Sequence, residues 1–114
     1  MVDSIREKAK MIKVIEGYEL KKGADIQPLF LKLRSYAMTF PGFISAEHIR
    51  SVKGNPISAL LYNWKRLEDW EIWESSKLRQ QILQEAEALL VSEPRITIYE
   101  VMPTSAWTYT GLKS

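Results

Sequence analysis

The chain has 114 residues, enough for one domain, and 46% of them are hydrophobic, as in ordinary globular proteins. Sixteen basic and fourteen acidic residues leave a net charge of +2, and no basic run goes beyond Lys21-Lys22, which argues against a nucleic-acid partner. The absence of cysteine excludes disulfides, thiolate metal sites and cysteine nucleophiles. No apolar run approaches the roughly 18 residues of a membrane span, and the start, MVDSIREKAK, lacks the apolar stretch of a secretion signal. The expectation is a soluble, cytoplasmic protein with no membrane partner.

In chain order, residues 1–10 read as an N-terminal extension. Residues 11–20, MIKVIEGYEL, mix β-branched, aromatic and alternating polar residues and predict a strand. After the Lys22-Gly23 turn the period changes. Over residues 25–39, Ile26, Leu29, Phe30, Leu33 and Ala37 form one helical face, with Asp25 as N-cap and Pro28 in the first turn. Pro41-Gly42 ends that helix. Residues 43–51 and 57–65 predict two strands joined by the turn VKGNP, a hairpin.

Helical spacing returns with Leu67, Trp70 and Trp73, and Glu68 and Asp69 fall in the first turn, where acidic side chains are favoured. Ser75 or Ser76 breaks this piece and caps the next. Residues 77–91 place Leu78, Ile82, Ala86, Leu89 and Leu90 on one face, and residues 95–102 alternate as a last strand. Residues 11–102 therefore form one α+β domain of ferredoxin-like βαββαβ order with a split second helix. Residues 103–114 form a C-terminal tail in which Trp107 and Tyr109 either pack on their own domain or reach a partner subunit. The strands carry apolar residues on both sides, while the chain's own helices cover only one. This predicts a homodimer with the two sheets face to face.

His48 is the sole histidine, too few nitrogen ligands for a zinc or iron site, so no metal is expected; a pairing with Glu16 or Glu47 is possible for it. Glycine-rich phosphate loops and nucleophile elbows are absent. Glu16 stands mid-strand on the side of Val14 and Tyr18. Either it faces the helix layer, where burial would raise its pKa and suit it to general-base work, or it lies near a strand end and reaches water. Trp64, Trp70 and Trp73 fall within ten residues. They either build core or wall an apolar cleft able to take a flat aromatic ligand.

PGFISAEHIRS followed by a hairpin, then LLYNWKRLEDWEIWESS and EPRITIYEV, resembles the antibiotic biosynthesis monooxygenase domain, over residues 11–102. The resemblance implies a dimeric α/β barrel built by sheet-to-sheet packing, with a pocket between sheet and helices. It implies oxidation of a small aromatic or polycyclic, quinol-like substrate by molecular oxygen, with no cofactor. Glu16 would then be catalytic, and Tyr18, His48, Tyr62, Trp70 and Trp73 would bind substrate. A non-catalytic ligand-binding or interaction dimer on the same scaffold is the alternative. The haem-degrading branch of the family fits less well. Trp73 takes the place of its tryptophan, but Glu16 stands where its asparagine would, and its histidine position falls near Leu83, with no histidine in residues 49–114.

Overall fold

Every second side chain of the first strand is buried, and that alternation sets the architecture. In the computed structural model, which describes residues 10–102, β1 (Ile12–Glu19) turns Ile12, Val14, Glu16 and Tyr18 inward. After it come α1 (Gln27–Ala37), β2 (Phe43–Arg50), β3 (Ile57–Trp64), α2 (Leu67–Glu74), α3 (Lys77–Ala86), a 3-10 turn (Glu87–Leu89) and β4 (Arg95–Glu100). The four strands form one antiparallel sheet in the order β2-β3-β1-β4, the expected ferredoxin-like arrangement. The expected extension, apart from Lys10, and the tail with Trp107 and Tyr109 lie outside the described residues.

Several local expectations change in detail. Asp25 caps α1 one residue early: its Oδ1 accepts from the Gln27 N–H at 3.0 Å, and Ile26 occupies the N-cap position itself. Of the two serines after α2, Ser76 is the cap of α3, its Oγ accepting from the Arg79 N–H at 3.2 Å. Leu67 is exposed rather than sharing the buried face of Trp70 and Trp73: it is the first residue of α2, whose buried side chains begin at Asp69. The second long helix stops at Ala86 and tightens into the 3-10 turn, which brings Leu90 down to an isolated antiparallel bridge with Leu20. Backbone bonds on either side (Lys21 N–H to Leu89 O, 2.8 Å, and Val91 N–H to Glu19 O, 2.9 Å) tie the end of β1 to the entry of β4. Phe43 and Ser45 pair with successive residues of β3, leaving Ile44 as a bulge.

The helices cover one face of the sheet. Phe30, Leu33 and Ala37 of α1, Trp70 and Trp73 of α2, and Ile82 and Ala86 of α3 close over Val14, Leu60, Tyr62 and Trp64 to form the core. Gly42 makes the α1–β2 turn at φ +84°, and Asp69 packs so closely over it that any Cβ there would overlap the carboxylate. On the opposite face Met11, Ile49, Ile57 and Tyr99 are exposed, and no described residue covers them.

Candidate functional site

Mid-strand on β1, the Glu16 carboxylate is carried into the layer between sheet and helices, and the residue is fully buried. Its strand neighbours are Leu60 on β3 and Ile96 on β4. Of the two sequence readings of Glu16, the structure has the one that faces the helices. A lone carboxylate there would be costly, and His48, the partner weighed for it in the sequence, bonds to Gln27 instead. The partner is Arg79, in the first turn of α3 and 5% exposed. The Ser76 cap begins the helix at the point where this side chain turns toward the sheet.

Arg79 is held from three directions. Its Nη2 donates to Glu16 Oε2, its Nη1 donates to the Glu74 carbonyl at 3.1 Å, and its guanidinium carbon lies 5.5 Å from the centre of the Trp70 ring, within cation–π range. The pairing leaves polar atoms over. Glu16 Oε1, Arg79 Nε, the Tyr18 hydroxyl and Trp70 Nε1 are all buried without a hydrogen-bond partner among the described residues, as is Trp64 Nε1. Burial lifts the Glu16 pKa above its ordinary 4.5, opposed by the charge and hydrogen bonding of Arg79. Burial, reinforced by the Glu16 charge, also pushes the phenols of Tyr18 and Tyr62 far up, so both remain protonated.

Beyond Arg79 the layer opens at the β4 edge into a cleft of about 500 Å3, where Arg79, Leu83, Leu90, Pro94 and Ile96 form part of the lining. Arg79 thus touches both the buried carboxylate and the open space. The aromatic residues expected to bind substrate are arranged differently. Tyr62, Trp70 and Trp73 are completely buried and pack on one another: Trp73 Nε1 donates to the Tyr62 hydroxyl at 3.2 Å, the Tyr62 and Trp70 rings are 5.4 Å apart, and Phe40 meets Trp73 edge-on at 5.0 Å. They fill the middle of the layer and do not line the cleft. Tyr18 lies on the same face of β1 as Glu16 and packs edge-on against Phe30 at 5.1 Å.

His48 is set apart. It projects from β2, separated from Glu16 by β3, with Leu60 as the register partner of both. Its pairing is neither with Glu16 nor with Glu47. Nδ1 lies 2.6 Å from Gln27 Oε1, and the ring stands edge-on to Phe30 at 4.7 Å. A carbonyl oxygen only accepts, so Nδ1 carries the proton in this contact.

Comparison with solved structures identifies the fold. No family model and no curated protein matches the sequence. The chain superimposes on a conserved protein from Methanosarcina mazei Go1 with a TM-score of 0.71 at 20% identity, covering 83% of this chain and 96% of that one. A Caulobacter crescentus CB15 protein proposed to be an antibiotic biosynthesis monooxygenase gives 0.73 at 14% identity, over 90% of this chain and 100% of the other. SnoaB, a cofactor-independent oxygenase from Streptomyces nogalater, gives 0.69 at 12% identity, over 85% and 97%. The fold is that of the antibiotic biosynthesis monooxygenases. At these identities the likeness carries the monooxygenase scaffold and nothing about its chemistry in this chain.

Within this monooxygenase scaffold, no group of three or more His, Cys, Asp or Glu side chains is placed to hold a metal among the described residues. Leu83 lines the cleft, which has no imidazole in its lining, so the residues do not fit a haem-iron ligand set. Sequence reasoning missed Arg79. Its signal was the spacing Arg79, Ile82, Ala86, which puts the arginine on the apolar stripe of α3 rather than on its wet side.

Proposed function

We propose that the protein is a cofactor-independent monooxygenase that uses molecular oxygen on a small, electron-rich aromatic of the quinol type. One observation carries this reading. Four buried residues clustered around the Glu16–Arg79 pair (Glu16, Tyr18, Trp70 and Arg79) each keep a polar atom without a partner, and Arg79 opens onto the cleft. Unmet polarity concentrated beside a cleft is costly in a purely structural core and is characteristic of sites that act on a ligand.

In this mechanism the ring system lies against Leu83, Leu90 and Ile96, and access to the carboxylate runs past Arg79. Glu16, made more basic by burial, takes a proton from the substrate. The Arg79 guanidinium stabilises the resulting anion. The protonated Tyr18 hydroxyl is a hydrogen-bond donor to the same charge. The substrate anion supplies the electrons: one atom of oxygen enters the oxidised carbon, and the other leaves as water with the two hydrogens removed from substrate. Tyr62, Trp70 and Trp73 give the site a rigid wall behind Arg79. The exposed apolar residues Met11, Ile49, Ile57 and Tyr99 support a homodimer through the open sheet face, and a monomer at micromolar concentration in sedimentation would sink that part.

The filled middle of the layer favours a second reading, a dimer that binds a ligand in the cleft without turning it over. Oxygen consumption with a panel of hydroquinones separates the two. Catalysis predicts substrate-dependent uptake that falls steeply in Glu16→Gln. Equal rates in the variant remove Glu16 from the mechanism, whereas binding of the same compounds without uptake establishes the second reading.

A further inference from the structure

A second cleft, of about 390 Å3, lies where the loop after β1 meets the far ends of β2 and β3. Leu20 lines it, whereas Leu90, the bridge partner of Leu20, lines the Arg79 cleft. Lys21 and Lys22 approach from the loop and Arg50 from the end of β2, and none of the three has an ion-pair partner among the described residues. The lining contains one carboxylate, Asp25, and its Oδ1 is already engaged by the Gln27 N–H at 3.0 Å.

A second observation points to a ligand. Ser58, the register partner of both Tyr18 and Arg50, is 7% exposed and lines the cleft, so a neutral hydroxyl stands at its floor beside the cations. The walls are firm. Ser51 locks the hairpin by accepting from the Ile57 N–H and donating to the Asn55 carbonyl, both at 2.9 Å, and the Ala24 N–H holds the lysine turn through Lys21 O at 3.0 Å. The backbone that carries the donors is thus pre-formed, and the ordering cost of binding falls on the exposed side chains themselves.

We propose that this cleft binds a small phosphate monoester, with the phosphate held by Lys21, Lys22, Arg50 and the Ser58 hydroxyl. The organic part of the ester lies against Leu20, Ile26 and Pro56. Three cations and one neutral donor match a dianion with three terminal oxygens better than a carboxylate, which offers one charge and two oxygens. The charge is local: the chain as a whole carries only +2, which argues for a small ligand rather than a nucleic acid. The site is independent of any reaction at Glu16.

Titration of the whole protein with phenyl phosphate, inorganic phosphate and benzoate, followed by calorimetry and backbone amide shifts, tests this. Phenyl phosphate is expected to move the amides of Gly23, Ala24 and Ser58 and to bind roughly tenfold tighter than benzoate. Lys22→Ala and Arg50→Ala, both exposed positions, should each weaken it by roughly tenfold with unfolding curves unchanged, and Ser58→Ala by less. Equal affinity for phenyl phosphate and benzoate overturns the proposal. So do full affinity in the Lys22/Arg50 double variant and shifts centred instead on Leu83 and Ile96. Inorganic phosphate binding as tightly as the ester overturns the role given to the apolar wall.

Discussion

Two halves of the same buried layer solve the problem of filling space in opposite ways. Under α2, Trp64, Trp70, Trp73 and Tyr62 interlock with Phe40 and Phe43, and the burial of large rings stabilises the domain. Around the Arg79 side chain of α3, at comparable depth, the chain places a carboxylate and a guanidinium, and each keeps an unmatched polar atom, whereas in the aromatic half the unmatched atoms are the indole N–H groups of Trp64 and Trp70. The difference teaches where stability is made and where it is given up. The aromatic half supplies the apolar burial that holds the fold, and the polar half contributes less and rests on its ion pair.

The largest effect is expected in the aromatic half. Trp73→Ala should cost about 4 kcal/mol in urea unfolding, since it removes a fully buried ring and the hydrogen bond to Tyr62. A loss below about 1 kcal/mol would mean that the ring can be replaced by local collapse, and the contrast between the halves would fail. Next comes the ion pair. Arg79→Met alone should cost about 3 kcal/mol by stranding Glu16, whereas Glu16→Leu with Arg79→Met should return close to wild-type stability. A double variant as unstable as the single one would show that the polar half also holds the fold together.

Ser76→Ala removes the cap that aims Arg79 and should cost about 1 kcal/mol, a change read from the shift in the urea midpoint. The smallest signal is in pH. A carboxyl whose pKa is raised on folding binds its proton more tightly in the folded state, so its contribution is intact below 4.5, the ordinary value, and declines as pH rises above it. Stability measured from pH 4 upward should therefore slope down less steeply in Glu16→Gln than in wild type. An identical slope would detach Glu16 from the titration.

Periodicity made most of the fold legible. The alternation of β1, the stripe Phe30, Leu33, Ala37 and the turn VKGNP each depend on near neighbours in sequence, which is what spacing reports. The site was legible only in part. Glu16 stood out because a charge inside an apolar alternation is anomalous. Its counter-charge did not, because an arginine on an amphipathic helix ordinarily belongs to the wet face, whereas here Arg79 is buried and its apolar neighbour Leu78 is only half-buried. His48 was drawn toward the site by its chemistry, yet β3 stands between it and Glu16, a separation fixed by strand order rather than by spacing. Nor does the spacing of the tryptophans tell a pocket wall from a packed interior, since both need the same rings on the same face.

The distance along the chain between Glu16 and Arg79, 63 residues, has a consequence for how the molecule is made. A ribosome releases the acid well before the base that neutralises it, and the hairpin of β2 and β3 emerges in between. Local pairings form early and remote ones late, because closing the longer loop costs more entropy. In refolding followed by pulsed hydrogen exchange, the β2–β3 amides are expected to gain protection before those joining β1 to β4. Until β1 docks against both neighbours, Glu16 stays hydrated and harmless. Arg79 comes from α3, so the order in which β1 and that helix dock decides whether the newborn chain passes through an unpaired charge in a half-built interior.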